Sequence, residues 1–291
     1  MQVEEEKIER PIFNPKRVLL WEAFLFILTL FLGAISSLKM SEFLKIKKTE
    51  KISLEPISFL KFTVPILLAV LIVFLIIRFV KFRPGKEILF RTVFILAMGF
   101  GGLLFFEIWF GEPLALILTG LLIIFWLRQQ SILLHNLLLI IGIIGVGSFL
   151  GLGFEPLAVV VLLIIFSIYD IIAVYKTKHM IKMAKEFIEA KAIPGLILPQ
   201  KFSEVSVPLK DVKMGGKFLI LGSGDIIFPL LLVSSLVPSG ILNSFIVAIF
   251  ATIGLLVSIW IFVSQKTRKP IPALPPIALF SIIGFLITRL I

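Results

Sequence analysis

Apolar residues run along this chain in long blocks divided by short polar breaks. The blocks lie near 18–38, 60–80, 91–110, 113–128, 132–153, 155–175, 217–238, 241–264 and 274–291. A helix needs about 20 mainly apolar residues to cross a bilayer's hydrocarbon core. The pattern therefore predicts an all-α polytopic membrane protein with nine transmembrane helices. Gly111-Glu112-Pro113 and Gly153-Phe154-Glu155-Pro156 are turn signals of the kind that join antiparallel neighbours. Residues 176–217 form the one long polar connection. The expected organisation is a single membrane domain over 1–291, with a six-helix part at 1–175, the loop at 176–217 and a three-helix part at 218–291.

Composition agrees with a bilayer as solvent. Hydrophobic residues make up 59% of the 291 positions and charged residues 16%. Soluble domains average about 45–50% and about 25%. The net charge of +11 does not point to nucleic acid, because excess Lys and Arg in a membrane protein gathers in cytoplasmic loops. With the N-terminus inside, the cytoplasmic side holds twenty-two Lys and Arg against seven opposite. The N-terminus and the 176–217 loop are thus expected in the cytoplasm and the C-terminus outside. Residues Met1 to Arg17 carry no A-x-A cleavage site before the first apolar run, which reads as a retained helix rather than a signal peptide.

Candidate chemistry is confined to few residues. Cysteine is absent and histidine occurs twice, with no H-E-x-x-H, so neither a thiolate metal site nor a zinc protease is supported. No metal or cofactor is expected. Of three aspartates, Asp211 lies in a polar loop, whereas Asp170 and Asp225 sit inside FSIYDIIAVY and FLILGSGDIIF. A carboxylate deep in a bilayer costs at least ~2.5–3.5 kcal/mol, and its default reading is functional. Asp170 lies six residues before Lys176 and Asp225 eight after Lys217, roughly 9 and 12 Å from the same face at helical rise. If the two helices touch, the carboxyls can meet and share a proton. One would then take a proton from water while its protonated partner polarises a scissile carbonyl. The alternative is a structural acid that pairs with a basic group or hydrogen-bonds a helix; no Lys or Arg falls in the middle of any span.

Gly222 and Gly224 flank Ser223 just before Asp225 and leave room beside the acid. Gly142, Gly145, Gly147, Gly151 and Gly153 in the fifth block read as a small-residue packing stripe. Pro272-Ala273-Leu274-Pro275-Pro276 opens the last span, where the prolines free backbone groups or simply mark a helix start.

Tyr169-Asp170, Gly222 to Asp225 and Pro272-Ala273-Leu274, in this order, resemble the YD, GxGD and PAL motifs of the presenilin and signal peptide peptidase family of intramembrane aspartyl proteases. The nearest likeness is to its archaeal presenilin-like members. The resemblance implies a nine-span presenilin-like bundle and catalytic roles for Asp170 and Asp225. It implies active-site support from Tyr169, Gly222 and Gly224, and substrate positioning by Pro272, Ala273 and Leu274. Ser223 departs from the Leu common at that position. Substrates would be single-span transmembrane segments or signal-peptide remnants that unwind before they are cut. Partners are then the lipid bilayer and those substrates, with no nucleic acid; a homo-oligomer is left open.

In the loop, Met180, Met183, Ala184, Phe187 and Ile188 are spaced as an amphipathic helix on the membrane surface. Pro194 and Pro199 then break helix, and the stretch to Gly216 reads as extended. The segment just before Lys217 is a candidate for adding a strand to an unwound substrate. His135, Asn136, Glu22 and Glu107, near span ends, read as interfacial anchors or helix-pairing groups. Two other functions use paired intramembrane acids: a cation- or proton-coupled transporter or leak channel, and a prepilin-type peptidase. The halves show no repeat of the kind many transporters carry, and prepilin peptidases typically have fewer spans.

Overall fold

The computed structural model describes residues 15–46, 83–176, 179–199, 202–212, 218–265 and 270–290. The block near 60–80 and residues 47–59 before it lie outside them. The helices are α1 (Pro15–Ile46), α2 (Arg83–Phe110), α3 (Glu112–Gln129), α4 (Ile132–Gly153), α5 (Pro156–Ile171), α6 (His179–Glu189), α7 (Ser223–Ser235), α8 (Ile241–Val263) and α9 (Leu274–Thr288). Among the described residues, six helical spans are long and apolar enough to cross a membrane: five in α1–α5 and the sixth in α8. The apolar helices at 223–239 and 274–288 are shorter.

Helix breaks follow the turn signals. Gly111 carries φ 84° between α2 and α3, a conformation natural to glycine. Pro113 and Pro156 then sit in the first turns of α3 and α5, where a missing N–H costs no helical bond.

The seventh block departs from expectation. Its first five residues are not helical: Phe218–Gly222 form a strand, β2, paired antiparallel with Gly195–Pro199, β1. A short apolar run fits a buried strand as well as a helix, and periodicity alone does not separate them. β1 was not foreseen. Beyond it, the stretch read as extended contains two short 3-10 turns, Phe202–Ser206 and Leu209–Asp211. The second docks on the start of α4, where the Leu209 N–H donates to the Gln130 carbonyl at 2.7 Å. The foreseen amphipathic helix is present as α6. Its Phe187 ring packs 4.7 Å from Phe90 of α2, so that face covers the bundle rather than only a lipid surface.

α4 is the most enclosed span and α3 the least. The glycine stripe explains how neighbours crowd α4. A Cβ on Gly145 would collide with the Gly101 carbonyl of α2, and one on Gly151 would run into Ser234 of α7. A Cβ added at Gly153 would meet nothing within 4 Å, so no close approach there depends on glycine. α1 lies along α7, with Gly33 against Leu230 and the Ser37 hydroxyl donating to Ser234 Oγ at 2.9 Å.

Candidate active site

Asp170 closes α5, and the helix then widens into a π turn over Ile172–Lys176. Such turns recur at functional sites. Asp225 lies in the first turn of α7. Phe166 and Phe228 stack with centroids 4.3 Å apart. Phe166 precedes Asp170 by one turn and Phe228 follows Asp225 by one turn, so α5 and α7 run antiparallel here. Both acids lie one turn nearer the ends joined by residues 176–217. Each is 8% exposed, and the two carboxyls are close enough to interact electrostatically. Both acids thus sit toward the same end of the two helices, although β2 replaces the helical rise assumed before Asp225.

The Pro272-Ala273-Leu274 segment joins this pair. Leu274 is the first residue of α9, and its N–H donates to Asp170 Oδ2 at 3.2 Å. The first N–H groups of a helix have no intrahelical acceptor, so this donor is free to hold a carboxylate. Pro275 and Pro276 follow inside the first turn, where their lack of N–H does no harm. Gly254 lets α8 approach, since a Cβ there would lie 2.6 Å from the Pro276 carbonyl oxygen. Pro272 is buried and Ala273 half-buried.

The remaining sequence candidates separate by geometry. The Gly222 N–H lies near enough to the Asp225 carboxyl to interact with it electrostatically, and a Cβ on Gly222 would sit 3.1 Å from Asp225 Oδ2. A Cβ on Gly224 would meet only the Phe228 ring, at 3.7 Å. Tyr169 is 59% exposed and turns away from the buried side that holds Asp170.

Three polar residues read from sequence as interfacial anchors or helix-pairing groups are buried. Asn136 and His135 bond the backbone of β1. Glu22 of α1 is 3% exposed, its Oε2 has no hydrogen-bond partner among the described residues, and it interacts electrostatically with Asp225. An acid near a span end gives no sequence signal of which helix it faces; a polar pair beside a predicted loop gives only a weak one.

The signal-peptide peptidase, presenilin aspartyl protease family matches residues 25–291. Among solved structures, the chain is similar to a presenilin family intramembrane aspartate protease in a C222 crystal form. The TM-score is 0.62 and the identity 22%, over 92% of this chain and 99% of that one. The P2 form of a presenilin family intramembrane aspartate protease gives a TM-score of 0.55 and 23% identity, over 97% and 98%. At these identities the two structures show a shared fold. No curated protein matches the chain. The family match over nearly the whole length identifies the chain as a member of the signal-peptide peptidase and presenilin family of intramembrane aspartyl proteases.

Proposed function

We propose that Asp170 and Asp225 are the catalytic pair, and that they hydrolyse peptide bonds of single-span transmembrane segments or signal-peptide remnants. The observation that carries this reading is two buried carboxyls on the facing ends of antiparallel helices, near enough to interact electrostatically, with a backbone N–H from α9 on Asp170. One carboxylate takes a proton from water as the water oxygen attacks the carbonyl carbon. The protonated partner gives its proton to the carbonyl oxygen. Collapse of the resulting gem-diol breaks the C–N bond and returns a proton to the leaving nitrogen. Leu274, with Pro272 and Ala273, positions the acid and the substrate backbone. Gly222 keeps space beside Asp225, whereas Gly224 faces the Phe228 ring and Tyr169 the exposed side of α5.

A helical substrate shields its carbonyls within its own hydrogen bonds, so it must unwind before attack. We assign strand addition to β2, Phe218–Gly222; the segment just before Lys217 lies outside the described residues. Nine spans, a cytoplasmic N-terminus and 176–217 loop, and an outer C-terminus complete the proposal, supported by the Lys and Arg asymmetry.

Purified protein incubated with a single-span reporter tests the pair. Asp170→Asn and Asp225→Asn are each expected to lower kcat by about 10²–10⁴-fold, the usual contribution of a positioned acid or base. Parental cleavage by either variant overturns the assignment. Deleting 205–214 is a poor test of strand addition, because it removes Leu209 and Val212, both 1% exposed or less.

A further inference from the structure

The two edges of the β1–β2 pair are not equivalent. In an antiparallel ladder, facing residues alternate between exchanging both hydrogen bonds and turning both polar groups outward. Ile197 faces Ile220. Its N–H donates to Asn136 Oδ1 at 2.9 Å, and its carbonyl accepts from Asn136 Nδ2 at 2.7 Å. Ile197 and Ile220 are therefore an outward-turned pair, as are Gly195 with Gly222 and Pro199 with Phe218. The ladder bond from Ser223 N–H to the Pro194 carbonyl, at 2.9 Å, fits this alternation.

α4 closes the outer edge of β1. The Gly195 carbonyl lies 3.3 Å from His135 Nε2, and the Gly195 N–H donates to Ile193 at 2.8 Å. Pro199 has no N–H to offer. The Asn136 amide presents one donor and one acceptor, as a third strand would. On β2 the same alternation turns the Ile220 N–H and carbonyl away from β1, and Phe218 and Ile220 are only half-buried. That edge ends three residues from Asp225.

We infer that Asn136 is a positioning residue that sets substrate register: with His135 it seals β1 and fixes β1 against β2, so an unwound substrate pairs only on the β2 edge. This rests on the strand addition proposed above. A substrate strand that slips by two residues keeps the same side chains facing inward, yet brings a different peptide bond to the acids. A firmly held β1–β2 pair is what limits that slip. Loosening it is expected to spread the cuts in two-residue steps.

The test uses the full chain, a single-span reporter, and Asn136→Ala, Asn136→Gln, Ile220→Pro and Leu137→Ala. Leu137 lies on the outward face of α4, 43% exposed, and serves as the control. Readouts are kcat, KM, cut positions by mass spectrometry, and binding of a hydroxyl-bearing transition-state analogue that probes the two acids. Asn136→Ala is expected to bind the analogue as the parent does, lose at least about tenfold in kcat/KM, and gain cuts displaced by two residues. Parental kcat/KM with the parental cut overturns the inference, and so does loss of analogue binding, which marks a merely structural role. Should Asn136→Ala not fold, Asn136→Gln decides: displaced cuts support the clamp and the parental cut overturns it. Parental cleavage by Ile220→Pro, which removes the outward N–H, overturns strand addition and the clamp with it. Impaired Ile220→Pro beside parental Asn136→Ala overturns the clamp alone.

Discussion

A methyl group added at Gly222 would press on Asp225 Oδ2, whereas one at Gly224 finds ordinary van der Waals space. Gly222→Ala is accordingly expected to shift the carboxylate by a few tenths of an ångström and lower kcat by about tenfold, since small misplacements of reacting groups are costly. Gly224→Ala should stay near the parent; equal loss in both would contradict this assignment. In the sequence the two glycines look alike, and only backbone geometry tells them apart. The aspartates were legible because acids are rare in apolar blocks. Glu22 was not, because it stands near a span end where an anchor is the ordinary reading. Its buried Oε2 lacks a partner among the described residues, and a buried polar group without one is destabilising. Glu22→Met should raise stability by about 1–2 kcal/mol, read as a higher Tm in detergent; a lower Tm would mean that the carboxyl is held by a bond that matters.

Among the described elements, the long apolar blocks form helices, and the expectation fails where one block serves two structures. Phe218–Gly222 continues without a break into α7 in hydropathy, but its partner strand lies more than fifteen residues earlier. No local pattern reveals such a non-local pairing. The glycine stripe was legible as packing but not as to partner: it serves α2 on one side and α7 on the other. Gly145→Val would drive a branched side chain into the Gly101 backbone, a cost of at least about 1–3 kcal/mol for overpacking. Gly153→Ala, facing open space, should leave Tm unchanged; equal shifts in the two variants would refute the close α2–α4 contact.

At the scale of the molecule, the shared fold and the family match give the architecture, while the way the chain faces rests on charge asymmetry. The chain has no cysteine, so single-cysteine probes start from a blank background. Lys210→Cys and Arg289→Cys, both at exposed positions, are expected to react with an impermeant maleimide from opposite sides, Lys210→Cys from the cytoplasm. Labelling of both from one side would refute the topology.

The short covalent path from β2 to Asp225 has a further consequence. Gly222 ends the strand and caps α7, so tension on the strand is passed to the turn that carries Asp225. On the proposed strand addition, capturing a peptide and aligning the acid become a single mechanical event. A molecule that merely capped the edge of β2 is then expected to silence hydrolysis without touching either aspartate.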